Sequence, residues 1–196
     1  GARDISCTNN LKQIGLQCSN YENENNDYMI AAMPTGCMMQ DGVLTTTQQR
    51  WNRVLNLMLH GSKWLVRIPL MICPSSPDQI VKTSGVEMTN YAINVYCGYT
   101  GNASFPYRRI NKFKKPARLL RIGDGENVIA RYSPSVESYI NDGKSIFDYS
   151  VAERQRGLDP RHNGRTNFLY LDGHVGQQAT PTVLRHQVNF DYDGID

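Results

Sequence analysis

The sequence predicts an α+β domain, and three observations carry that expectation. Apolar residues at Cys7, Leu11, Ile14, Cys18 and Tyr21 recur at spacings of 4, 3, 4 and 3, which places them on one stripe of a helix. A second, shorter stripe runs through Trp51, Val54, Leu55, Met58 and Leu59. The later part of the chain holds short strand-like runs separated by Gly, Pro, Asn and Asp, the pattern of antiparallel strands. One long helix followed by such strands implies α+β.

Taken in order, the first helix runs from Ala2 to about Tyr28, where neither Pro nor strong turn chemistry interrupts it. Ile5 and Leu16 lie off the stripe and suggest a wide buried face. The polar run Glu22 to Asp27 ends the helix, and Pro34 blocks any continuation. Thr45 to Thr47 are N-cap candidates for the second helix, which Gly61 stops after about four turns. Trp64 to Cys73 is apolar and ends in a turn at Cys73-Pro74-Ser75-Ser76-Pro77. Tyr91 to Tyr99 reads as a strand, with Gly98, Gly101 and Asn102 marking the loop at its end. Arg118 to Ile122 is a short strand after Pro116 that runs into the turn-rich Gly123-Asp124-Gly125-Glu126. Ser133 to Asp159 has no clean period and reads as an irregular excursion. Thr166 to Leu171 and His174 to Gln177 flank Asp172-Gly173, whose composition suits a two-residue type I′ hairpin.

At 196 residues the chain has room for one ordinary core. Its 40% hydrophobic and 20% charged content excludes a multi-span membrane protein and a highly charged disordered tail. No apolar run reaches the ~18 residues of a membrane span. The net charge of +3 is unevenly placed: Arg108, Arg109, Lys112, Lys114, Lys115, Arg118 and Arg121 fall together with no Asp or Glu among them. Without them 14 basic residues face 18 acidic ones, a net of -4, so the broad positive surface of a general nucleic-acid binder is not expected. Five cysteines without CxxC spacing argue against a zinc knuckle or a thioredoxin-type dithiol, and allow at most two disulfides.

The segment Ala2 to Leu16, ARDISCTNNLKQIGL, resembles the region just after the hydrophobic segment of bacterial type IV pilin-like proteins. Within RHNGRTNFLYLDGHV, His162 is followed by nine residues and then Asp172-Gly173. This looks like the His-nine-Asp-Gly signature of prepilin-type families. Cys73-Pro74-Ser75, Asn90-Tyr91 and Pro116 to Asp124 resemble weaker landmarks of those families in the right order, so the resemblance spans nearly the whole chain. It implies a type II secretion pseudopilin or a relative: a pilin-like fold, with a long N-terminal helix packed on an antiparallel sheet that ends in a C-terminal hairpin. Residues 1–30 would be the soluble half of the spine helix and 31–196 the head, together one domain. The bare Gly1 reads as an expression scar, with a cleavable leader and an apolar membrane anchor expected upstream. The implied function is structural and not enzymatic, with a single-pass inner-membrane anchor, a periplasmic or extracellular head, and other pilin-like subunits and the secretion machinery as partners. Leu11, Ile14, Cys18 and Tyr21 would form the packing helix.

Four candidate sites follow. His162, Asp172 and His174 carry ligand types suited to a cation such as zinc, although Asp172-Gly173 is equally plain turn chemistry. No Ser or Cys nucleophile stands beside either His by local motif, which argues against catalysis. Asp124, Glu126 and Asp142 offer oxygen ligands of the kind calcium takes. The basic segment, with Tyr107 and Phe113 interleaved, suits a protected sheet edge or subunit contact better than nucleic acid. Trp51, Trp64 and the 11 Tyr residues raise the alternative of a periplasmic sugar-binding module anchored by a pilin-like helix. In an oxidising periplasm Cys73 and Cys97 are candidates to pair, with Cys7 and Cys18 buried as small apolar residues.

Overall fold

Helix α1 (Ala2–Glu24) forms where the 3-4 spacing ran. Its stripe of Cys7, Leu11, Ile14 and Cys18 is fully buried. The helix ends as expected in the polar run: Asn25 donates its side-chain amide to the Tyr21 carbonyl, and Asn26 and Asp27 take left-handed φ values of 54° and 65°. The computed structural model describes residues 1–32, 51–60, 69–76, 89–98, 103, 105–125, 146–147, 158–179 and 183–191. The cap candidates Thr45 to Thr47, along with Trp64 and most of the 133–159 stretch, lie outside the described residues.

Helix α2 (Trp51–His60) is described over 10 residues. The strands are β1 (Tyr91–Asn94), β2 (Leu120–Asp124), β3 (Ile146–Phe147), β4 (Arg165–Tyr170) and β5 (Val175–Ala179), arranged in the order β3-β1-β2-β4-β5. Four of them pair antiparallel and β3 adds a parallel edge to β1, so the fold is α+β. Helix α3 (Arg185–Val188) follows the sheet.

Two strand expectations are corrected. The Tyr91 to Tyr99 run stops being a strand at Asn94, because the Asn94 side chain accepts from the Tyr96 N–H and turns the chain into a single 3₁₀ turn, Val95–Cys97. The Asn94 amide also donates to the Leu120 and Val188 carbonyls, so this buried side chain ties three segments together. The Asp172-Gly173 loop is not type I′, since only Gly173 in it has positive φ, at 89°. Gly173 N–H donates to the Tyr170 carbonyl and Tyr170 N–H to the His174 carbonyl, the three-residue hairpin with Gly in the left-handed position. The type I′ geometry occurs instead at Asn163-Gly164, with φ of 55° and 77°, where His162 and Arg165 exchange both backbone hydrogen bonds.

The sheet is covered on both faces. Helix α1 packs on β4 and β5, and its stripe meets Tyr91, Ile93, Ile122 and Leu169 along with Trp51 and Leu55 of α2. On the other face Ala92, Leu120, Leu158, Phe168, Val183 and Val188 form a second cluster. Strand β2 contributes to both because of a bulge between Leu120 and Ile122, which shifts the alternation of side chains by one. Leu120 therefore faces the second cluster, while Ile122 faces the α1 side.

The wide buried face expected for α1 is narrower than its apolar content suggested. Ile5 and Leu16 are 64% and 60% exposed. Taking about 100° per residue, they share one stripe roughly 160° around the helix from the buried one.

Candidate functional site

The residues that carry the weak landmarks converge on one buried point beneath the first turns of α1. Asn90 organises it. Its Oδ1 accepts from the Cys73 N–H at 3.0 Å, its backbone N–H donates to the Met71 carbonyl, and its carbonyl accepts from Gly125 N–H. The Asn90 amide also reaches Ser76 Oγ. This clasp holds the Cys73–Ser76 turn against β2, and Asn10 of α1 donates to the Ile72 carbonyl beside it. Cys73 is then placed to bond Cys7 of α1 as a disulfide, with Cα atoms 5.0 Å apart. The expected Cys73 and Cys97 pair is thus corrected. Cys97 and Cys18 are free, buried thiols, and burial pushes the Cys97 thiol up to about 12, which keeps it protonated.

His162 stands at the centre of this cluster. The Asn163-Gly164 turn aims it back under the sheet, where its side chain is only 1% exposed. Its Nδ1 lies 2.5 Å from Asp4 Oδ1 on α1, and its Nε2 lies 3.2 Å from Asp124 Oδ2 on β2 and 3.7 Å from Cys73 Sγ. Asp124 is fully buried; its Oδ2 accepts from the Asn167 N–H at 2.7 Å, and its Oδ1 has no hydrogen-bond partner among the described residues. Ser75 Oγ reaches Asp4 Oδ1. Arg161, beside His162, pairs with Asp159 and donates to the Gly125 carbonyl.

Electrostatics follow from this packing. Burial disfavours the His162 cation, but the hydrogen bonds and charges of Asp124 and Asp4 together outweigh it and raise its pKa above the ordinary 6.5. A raised value means that the cation stabilises the fold fully below about pH 6.5 and that this contribution is lost as pH rises through the folded-state value. The melting temperature should therefore fall as pH rises from about 6.5 through the folded-state value. In His162→Gln that fall should flatten, and thermal melts across this range test it; an equal slope in both proteins would remove His162 as its source.

The sequence candidates are placed as follows. His162 does not share a site with Asp172 and His174, because β4 lies between them and six strand residues span roughly 20 Å. Asp172 and His174 do meet at the hairpin, where Asp172 Oδ1 lies 2.5 Å from His174 Nδ1 and takes its backbone N–H, while the imidazole stacks on Tyr170 at 4.0 Å. Of the calcium candidates, Asp124 belongs to the buried His162 cluster, and Glu126 and Asp142 lie outside the described residues. Leu11, Ile14 and Cys18 are spent against the chain's own sheet, and Tyr21 packs on the same core.

The basic segment is largely engaged. Arg121 is buried against Glu22, Arg108 forms a two-pronged pair with Asp191, Arg109 lies over the Tyr28 ring, and Arg118 contacts His186. Lys112, Lys114 and Lys115 are exposed. Trp51 and Tyr91 are fully buried, and among the described residues the groove bordering α1 and α2 is lined by Gln17, Asn20, Asn23, Glu24 and Met58, none of them aromatic. Sequence reasoning missed Asp4, whose place on the first turn of a helix reads as ordinary dipole chemistry, and it missed Cys7 as the partner of Cys73.

Among the described residues no helix is long and apolar enough to cross a membrane. No curated protein and no solved structure matches the chain. Residues 1–68, roughly a third of the chain, are similar to a family whose model is described as a protein of unknown function (DUF1559), and this match covers α1, Asp4 and Cys7 of the buried cluster.

Proposed function

We propose that this chain is the head of a pilin-like structural subunit, which assembles through α1 in a type II secretion or type IV pilus-like machine. The observation that carries the reading is α1 itself. Its 23 residues, roughly 35 Å of helix, bury one stripe against the sheet and turn Ile5 and Leu16 outward on the opposite side. A helix locked to its own head that still turns two large apolar side chains outward, among polar neighbours such as Asn9 and Lys12, suits lateral association with like helices. The motifs that resemble pilin-like proteins at Ala2 to Leu16 and His162 to Gly173 support it, and a buried disulfide suits an oxidising compartment such as the periplasm.

Two measurements test the reading. The reading frame upstream of Ala2 should encode a basic leader followed by about 20 apolar residues. In cells making that full product, Ile5→Cys and Leu16→Cys should crosslink subunits, while an exposed hairpin position such as Asp172→Cys should not. Absence of the apolar segment, or crosslinking no stronger through α1 than through the hairpin, would remove the proposal.

A further inference from the structure

The Cys7–Cys73 bond and His162 form a second constellation with chemistry of its own. The two sulfurs and an imidazole nitrogen are all buried and lie within 4.8 Å of one another. His162 Nε2 is 3.7 Å from Cys73 Sγ. Tetrahedral zinc, with Zn–S of about 2.3 Å and Zn–N of about 2.1 Å, holds sulfur and nitrogen ligands about 3.6 Å apart, so this edge is already set. Asp4 occupies Nδ1, which leaves Nε2 to face the sulfurs in the carboxylate-histidine arrangement that orients metal-bound imidazoles. Independently, Asp124 presents a fully buried carboxylate at the same nitrogen, and one of its oxygens has no hydrogen-bond partner among the described residues.

We propose that the dithiol form of this chain binds zinc through Cys7, Cys73 and His162 Nε2, with Asp124 the nearest oxygen donor for the fourth position. A dithiol reductant supplies two electrons and two protons to the S–S bond, which breaks to two thiols while the reductant closes to its own disulfide. Zinc then displaces both thiol protons to solvent, and the His162 cation loses its Nε2 proton to free the lone pair. Disulfide and metal exclude each other, so occupancy reports the redox state of the pair.

The test uses the whole chain in oxidised and in dithiol-reduced form, with the reductant removed without air, titrated with zinc alone and with cobalt(II) alone. The reduced protein should take up one equivalent and show thiolate-to-cobalt charge-transfer absorption, and the oxidised protein neither. His162→Gln and Cys73→Ser should each weaken binding at least about 100-fold, and Asp4→Asn about 10-fold to 100-fold. Replacing Cys18, Cys37 and Cys97 by Ser should leave uptake unchanged. A reduced chain that loses structure and regains its circular dichroism with one equivalent of zinc supports the site. A reduced chain that takes up no metal, folded or unfolded, overturns it, as does uptake abolished by the Cys18, Cys37 and Cys97 changes or a cobalt spectrum indifferent to His162→Gln.

Discussion

Replacing both Cys7 and Cys73 by Ser should lower the unfolding free energy by about 4 kcal/mol. The bond joins residues 66 apart, and closing a loop of that length removes much of the unfolded chain's freedom. The native state meanwhile holds both residues in place through other contacts: α1 lies on the sheet, and Asn90 clasps the Cys73 turn. The effect should therefore fall mainly on the unfolded state, as a shift of the urea midpoint. For a domain whose total stability is on the order of 5–15 kcal/mol, this is a large share. Cys97→Ser provides the contrast, because its thiol is free and buried and its loss opens no loop. Had Cys73 paired with Cys97, that variant would cost as much as the double change. Equal midpoints for the oxidised wild type and the Cys7, Cys73 double variant would show that the bond adds nothing.

Why the helix could be read from the sequence and the buried cluster could not is a matter of range. The stripe from Cys7 to Cys18 is a local signal, since helical geometry alone brings residues three and four apart onto one face. The turn at Asn163-Gly164 was equally local, yet Asp172-Gly173 drew the type I′ reading. Both dipeptides suit positive φ, and only the backbone shows that Asp172 does not use it. The His162 cluster draws on α1, the Cys73 turn, Asn90, β2 and the Asn163-Gly164 turn, so no spacing could reveal it. His162 was singled out as a ligand, but its neighbours were sought next to it in the motif when β4 carries those away. Arg121 was hidden differently. It belonged to a run of seven basic residues that read as a surface, whereas a strand with both faces covered buries whatever it carries.

Glu22→Leu alone should destabilise the fold by about 3–5 kcal/mol, while Glu22→Leu combined with Arg121→Met should be nearly neutral or stabilising by about 1–4 kcal/mol. Arg121 Nη2 lies 2.6 Å from Glu22 Oε1, and the two side chains are 3% and 8% exposed. The bulge in β2 places Arg121 under the last turn of α1, where Glu22 continues the buried stripe four residues beyond Cys18. Burial, with the charge of Asp27, pushes the Glu22 carboxyl up against the opposing pull of Arg121, while Glu22 helps hold the Arg121 guanidinium charged against its own burial, so desolvation and attraction largely offset each other. A pair in that balance adds little as a pair, but removing one member strands the other charge without water. The single and double changes should thus differ in sign or nearly so, and a four-protein urea cycle measures the difference. A cost below about 1 kcal/mol for Glu22→Leu would mean that water reaches Arg121 and that the pair behaves as a surface one. A double variant as unstable as the single one would point to a different cause, the fit of α1 over the bulge, because then the shape of the two side chains and not their charge would hold the helix end in place.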